Sequence, residues 1–199
     1  MGVVSRRRPS ELLGVGLVLE ALVAGCGDDA GSDEANGATT TSTASTTTST
    51  TTDPNAKERQ AVIDAYLAAA DAARAASAPP AANPDLPALV ETHTGPMLEQ
   101  RQEVARGLQA NGWAIRYPAD SRYRVEVESV EFDGDDVAIL KVCAVDDGER
   151  VVVDTGEVIS SGLATGEITA AMQRVDGVWK LAERREDQQW EGEAGCAVD

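Results

Sequence analysis

The chain is poor in the side chains that most often carry enzymatic chemistry, with one histidine, one phenylalanine and three cysteines among 199 residues, and aromatic residues at 4%. Cys143 and Cys196 with one distant His93 give no ligand spacing for a metal, so no metal site is expected. A Gly-rich phosphate loop and a nucleophile elbow are also missing, and no cofactor is expected. Basic residues are scarce too: 17 Lys and Arg stand against 34 Asp and Glu, a net charge of -17. A field of that sign repels phosphate backbones, which excludes nucleic acid as a partner. The most apolar stretch, Leu12 to Ala24, falls short of the roughly 20 residues that a permanent membrane-spanning helix needs.

What that stretch does fit is an export signal. Arg6, Arg7 and Arg8 supply a basic start, the apolar segment follows, and Pro9 with Ser10 favours the general secretory route over a twin-arginine one. The segment ends in Val23, Ala24, Gly25 and Cys26, which resembles the lipobox of bacterial lipoproteins. The resemblance implies cleavage before Cys26 and a diacylglycerol on its thiol, which would anchor the chain outside the cytoplasm on a membrane. Gly27 to Asp53 has almost no apolar residue larger than Ala, and Thr39 to Thr52 is Thr and Ser broken only by Ala44. Too little apolar surface is present to offset ordering entropy, so a disordered tether is expected, with an r.m.s. reach of roughly 30 Å. The expected organisation is therefore a signal peptide over 1–25, a tether over 26–55 and one domain over 56–199.

With Cys26 lipidated, Cys143 and Cys196 remain as a couple, and an oxidising exterior favours a disulfide between them. Closing so long a loop constrains the unfolded chain by roughly 4 kcal/mol.

Within the domain, Lys57 to Ala76 is predicted as a helix from the spacing of Val62, Ile63, Tyr66, Leu67 and Ala70. A proline cluster breaks it. Leu86 to Glu91 is predicted as a short helical turn capped by Asp85, and Thr94 as the N-cap of a third helix closed by Asn111 and Gly112. Beyond Gly112 the period changes to two. Tyr123, Val125 and Val127 alternate with charged residues, then the apolar phase slips to Val130 and Phe132, which predicts a bulge near Ser129. Val137 to Val145 reads as a central strand, followed by strands over Glu149 to Asp154, Thr165 to Val175 and Val178 to Glu183. Asp133-Gly134, Asp147-Gly148 and Asp176-Gly177 separate consecutive runs, so a largely antiparallel meander is expected. N-terminal helices packed on a curved antiparallel sheet make an α+β class.

This order of elements, with Trp179 in a last hairpin after Arg174-Val175-Asp176-Gly177-Val178, resembles the NTF2-like, or cystatin-like, superfamily over residues 56 to 187, and is similar to domains of actinobacterial lipoproteins. The resemblance implies a pocket between the helices and the concave sheet. It does not imply an enzyme, because isomerases, dehydratases and pure binding modules share the fold.

Two residues are weak catalytic candidates: His93 as a general base, oriented by a carboxylate such as Asp71, and Tyr66 as a hydrogen-bond donor in the pocket. Each has a simpler reading, His93 as a loop residue beside a helix cap and Tyr66 as core. Asp133, Asp135 and Asp136, and likewise Asp154-Thr155-Gly156, read as turns rather than as calcium or protease motifs. Trp113, Trp179 and Trp190 line a ligand site or fill the core. The expected function is a membrane-anchored, non-catalytic module binding a small apolar ligand or an envelope protein. The alternative is an isomerase-like or dehydratase-like enzyme of the SnoaL or ketosteroid-isomerase type.

Overall fold

Alanine sets the packing of the first element in the computed structural model, which describes residues 53–196. Helix α1, Ala56–Ser77, buries Val62, Tyr66, Ala69, Ala72 and Ala76, a stripe at steps of three and four that turns one face inward. Helix α2, Pro87–Thr92, begins at a proline. Its N-cap position is Leu86 and not the expected Asp85, whose backbone N–H is taken by Asn83 Oδ1 at 3.0 Å. Helix α3, Gly95–Ala110, has Thr94 at its N-cap without a side-chain bond and Asn111 at its C-cap, with Gly112 beyond at φ +67°. No helix among the described residues is long and apolar enough to cross a membrane.

Seven strands follow: β1 Trp113–Arg116, β2 Arg124–Phe132, β3 Val137–Asp146, β4 Glu149–Val152, β5 Val158–Ser160, β6 Ala164–Val175 and β7 Val178–Glu191. Four form an antiparallel sheet in the order β2-β3-β6-β7, with β3 central as expected. The others form a second sheet, β1-β4-β5. The meander is thus interrupted: β4 follows the Asp147-Gly148 turn but pairs with β1 instead of folding back on β3. Asp147 is the physical reason. Its carboxylate accepts from the Arg122 N–H at 2.6 Å and the Ser121 hydroxyl at 2.6 Å, which binds the turn to the loop before β2.

The main core places Leu140, Val142, Ile168 and Met172 of the sheet against Val62, Tyr66 and Ala69 of α1. The slip in β2 is a bulge between Val127 and Ser129, and it keeps Val125, Val127, Val130 and Phe132 on the core side. Trp179 is core, with its indole N–H on Glu58 at 2.6 Å. Helices followed by a curved antiparallel sheet make an α+β fold, as the sequence predicts.

On the opposite face of β3, Cys143 lies at disulfide distance from Cys196, Cα to Cα 5.7 Å over a separation of 53 positions. The Glu128 carboxylate stands within 4.8 Å of both sulfurs. The tail that brings Cys196 there is held against the sheet. Strand β7 runs on to Glu191, Thr165 donates its hydroxyl to the Gly192 carbonyl at 2.7 Å, and Gly195 lies so close to the Trp190 ring that no side chain would fit there.

Candidate functional site

Between α1, α3 and the concave face of the larger sheet lies a cavity of about 480 Å³. That size is ordinary for a small-molecule site. The space exists because the facing side chains are small: Ala70 and Ala73 on α1, Ala144 on β3, and Ala164 and Gly166 on β6. Val104, Ile115, Val125 and Ile168 supply apolar wall.

The polar lining is dominated by tyrosine and arginine. Tyr66 is buried in α1, and Tyr117 packs edge-on against Tyr123 with centroids 5.2 Å apart. Burial pushes all three phenols above their usual range, so they stay protonated and act as hydrogen-bond donors. Arg74 stacks over Tyr117 and Tyr123, at 4.8 and 4.3 Å from the ring centroids. It also pairs with Asp71 at 3.4 Å near the surface, so that carboxylate serves an arginine and not His93.

Two further guanidiniums enter from different elements. Arg101 follows Met97 by four positions and precedes Ala105 by four, and since both neighbours are buried it lies on the inward stripe of α3. Arg184 comes from β7, where a bulge between Ala171 and Met172 changes the phase of the strand. Before the bulge Trp179 and Leu181 face the core. After it Arg184 pairs with Ala170, a core residue, and points into the cavity. Burial, then the charge of Arg184, lowers the proton affinity of Arg101. Two carboxylates also line the cavity, Asp146 and Glu186, both on exposed residues. Asp146 accepts from the Gly148 N–H at 2.8 Å and from the Tyr117 hydroxyl at 3.4 Å.

His93 lies in the short connection between α2 and α3, beside the Thr94 N-cap, as the sequence suggests, but it is not exposed there. It is 1% exposed, forms a parallel bridge to Leu181 and lies outside the cavity lining. The Thr92 hydroxyl gives its hydrogen to the Ala88 carbonyl, so at 2.9 Å it must accept from His93 Nδ1, which leaves Nε2 as a bare, buried acceptor without a partner. Burial and the nearby Arg101 charge push its pKa down to about 4. Of the two weak catalytic candidates, only Tyr66 reaches the cavity.

None of the tryptophans lines this cavity. Trp113 packs beside Ala82, Ala105 and Leu108, and Trp190 is on the far side of the sheet, paired with Thr165. Asp133 and Gly134 make the β2-β3 turn, and Asp154 to Gly156 make the β4-β5 turn.

No family model and no curated protein sequence matches the chain. Solved structures are similar to it. The intermembrane space region of the chloroplast protein ARC6 has a TM-score of 0.54 at 14% identity, over 64% of this chain and 95% of that one. A ketosteroid isomerase-like protein from Erwinia carotovora atroseptica has a TM-score of 0.40 at 16% identity, over 69% and 99%. An NTF-2 like protein of unknown function from Silicibacter pomeroyi has a TM-score of 0.33 at 13% identity, over 64% and 91%. At such identities the likeness is one of fold alone, and the fold is the α+β arrangement of helices on a curved antiparallel sheet.

Proposed function

We propose that the chain is a lipid-anchored extracytoplasmic protein whose single domain binds a small ligand in the cavity between helices and sheet, without catalysing its conversion. The observation that carries the ligand half is the 480 Å³ cavity itself, walled by small side chains on both layers. The address rests on Val23-Ala24-Gly25-Cys26 behind a basic and apolar start, and on the spacer that follows. A cysteine pair at disulfide distance supports an oxidising compartment. The non-catalytic reading is supported by the burial of His93, which is not among the residues that line the cavity.

A second reading, an isomerase-like or dehydratase-like enzyme, draws on one observation: Tyr66 and the Tyr117–Asp146 pair share the cavity. In that reading Asp146 would be the base and the phenols would steady an enolate. Once a converted substrate is known, Asp146→Asn would cost at least about 100-fold in rate.

The anchor is tested by mass spectrometry of the N-terminal peptide from wild type and Cys26→Ser, with fractionation of the cells. The expected result is a diacylglycerol-modified Cys26 in the membrane fraction of the wild type, and an unlipidated chain released from it in the variant. An unprocessed, unlipidated wild-type N-terminus contradicts the anchor.

A further inference from the structure

We infer that the cavity takes an organic carboxylate, an anion with an apolar or aromatic body, and that Arg101 and Arg184 are the residues that hold its charge. The inference rests on the ligand-binding reading above and names the chemical class of the ligand.

Arg101 is the starting point. It occupies the inward stripe of α3, one turn from Met97 on one side and Ala105 on the other, where a helix of this kind normally carries an apolar residue. Among the described residues it makes no ion pair and no hydrogen bond, and its Nε is buried without a partner. A charged group in that position is costly unless something balances it. The protein brings a second guanidinium to the same space instead of a carboxylate: Arg184 lines the cavity opposite and also has no carboxylate within ion-pair distance among the described residues. The two lining acids do not fill this role. Asp146 is held by Gly148 and Tyr117, and Glu186 lies against Gly166.

Two unpaired guanidiniums converging on one cavity form a fork for a planar anion, since each can donate two parallel N–H bonds to a carboxylate. The protonated phenols of Tyr66, Tyr117 and Tyr123 add donors to the same lining, and that of Tyr66 is buried. The remaining wall specifies the rest of the ligand. Val104, Ile115, Val125 and Ile168 are apolar, and Arg74 over the two tyrosine faces makes a flat, polarisable side. Inorganic anions use only the first half of this site; an organic carboxylate uses both.

The test is calorimetric titration of the full chain in detergent with 2-naphthoate, its neutral isostere 2-naphthamide, and inorganic phosphate. The expected result is naphthoate bound at least about tenfold more tightly than naphthamide or phosphate, the size expected for charge-assisted hydrogen bonds. Arg101→Gln and Arg184→Gln should each remove most of that preference while leaving naphthamide binding unchanged, and Arg101→Lys should keep part of it. The substitutions lie on different elements, so a folding failure in one leaves the other informative. Melting of each variant is measured alongside, and Arg101→Gln is expected to melt at or above wild type because an unbalanced buried charge is gone. Equal binding of naphthoate and naphthamide overturns the inference while the ligand-binding reading stands. Phosphate bound as tightly as naphthoate overturns the organic half. Binding of none of the three overturns the inference as well, and the ligand-binding reading then rests on what the protein carries from its own membrane.

Discussion

His93 shows how burial changes the meaning of a residue type. In a loop, a lone histidine has a pKa near 6.5 and is free to exchange protons. Here the imidazole is sealed by α2 and β7, with Nδ1 committed to Thr92 and its pKa pushed down to about 4 by burial and by Arg101. A histidine whose folded pKa lies below its unfolded one binds fewer protons when folded. Its contribution to stability is therefore complete above about pH 6.5 and is lost as the pH falls toward 4. Between pH 7 and pH 5 the loss amounts to about 2 kcal/mol. His93→Asn keeps a donor for Thr92 and removes the titration, so chemical denaturation across that range should show a clearly flatter dependence for the variant. A slope equal to wild type would mean that His93 titrates normally in the folded protein.

At the scale of elements, the tail and the sheet hold each other. The chain after β7 is held by the Thr165–Gly192 hydrogen bond and by Gly195 on Trp190 before Cys196 reaches Cys143. Cys196→Ser is accordingly expected to lower unfolding free energy by about 2–4 kcal/mol, read by denaturant titration without reductant, with the sheet intact. A wild type whose two cysteines are recovered as free thiols from oxidised, folded protein would contradict this. Some of these elements are legible in the sequence and others are not, for reasons that can be named. Helix α1 and the β2 bulge show because apolar residues mark their phase, Val62 to Ala70 in one and Val127 to Val130 in the other. Strand β7 beyond Glu183 is hidden, since Arg184 to Gln189 is polar on both faces and the strand's bulges leave no alternation to read. The site is hidden for a related reason. Arg101 on a helix and Arg184 among Glu183, Arg185 and Glu186 have the composition of solvated surface. The available signal is positional: Arg101 falls four residues from both Met97 and Ala105, on a stripe that is otherwise buried.

At the scale of the whole molecule, charge and cavity are distributed unevenly. A chain of net charge -17 gathers three arginines around one cavity on the concave side of its sheet, while the cysteine pair closes the other side. On the anchor proposed above, Cys26 and the Thr/Ser-rich segment behind it would keep that cavity outside the cytoplasm. The central claim is that the cavity holds a small molecule, and Ala144 at its floor is the residue whose enlargement tests this without touching a charge. The measurement is native mass spectrometry of the protein extracted from its own membrane, wild type beside Ala144→Phe, with folding of both checked by their melting curves. The expected result is the same lipidated N-terminus in both, a bound small molecule in the wild type and none in the filled variant. Equal ligand occupancy in the two folded proteins, or no ligand in either, would contradict it.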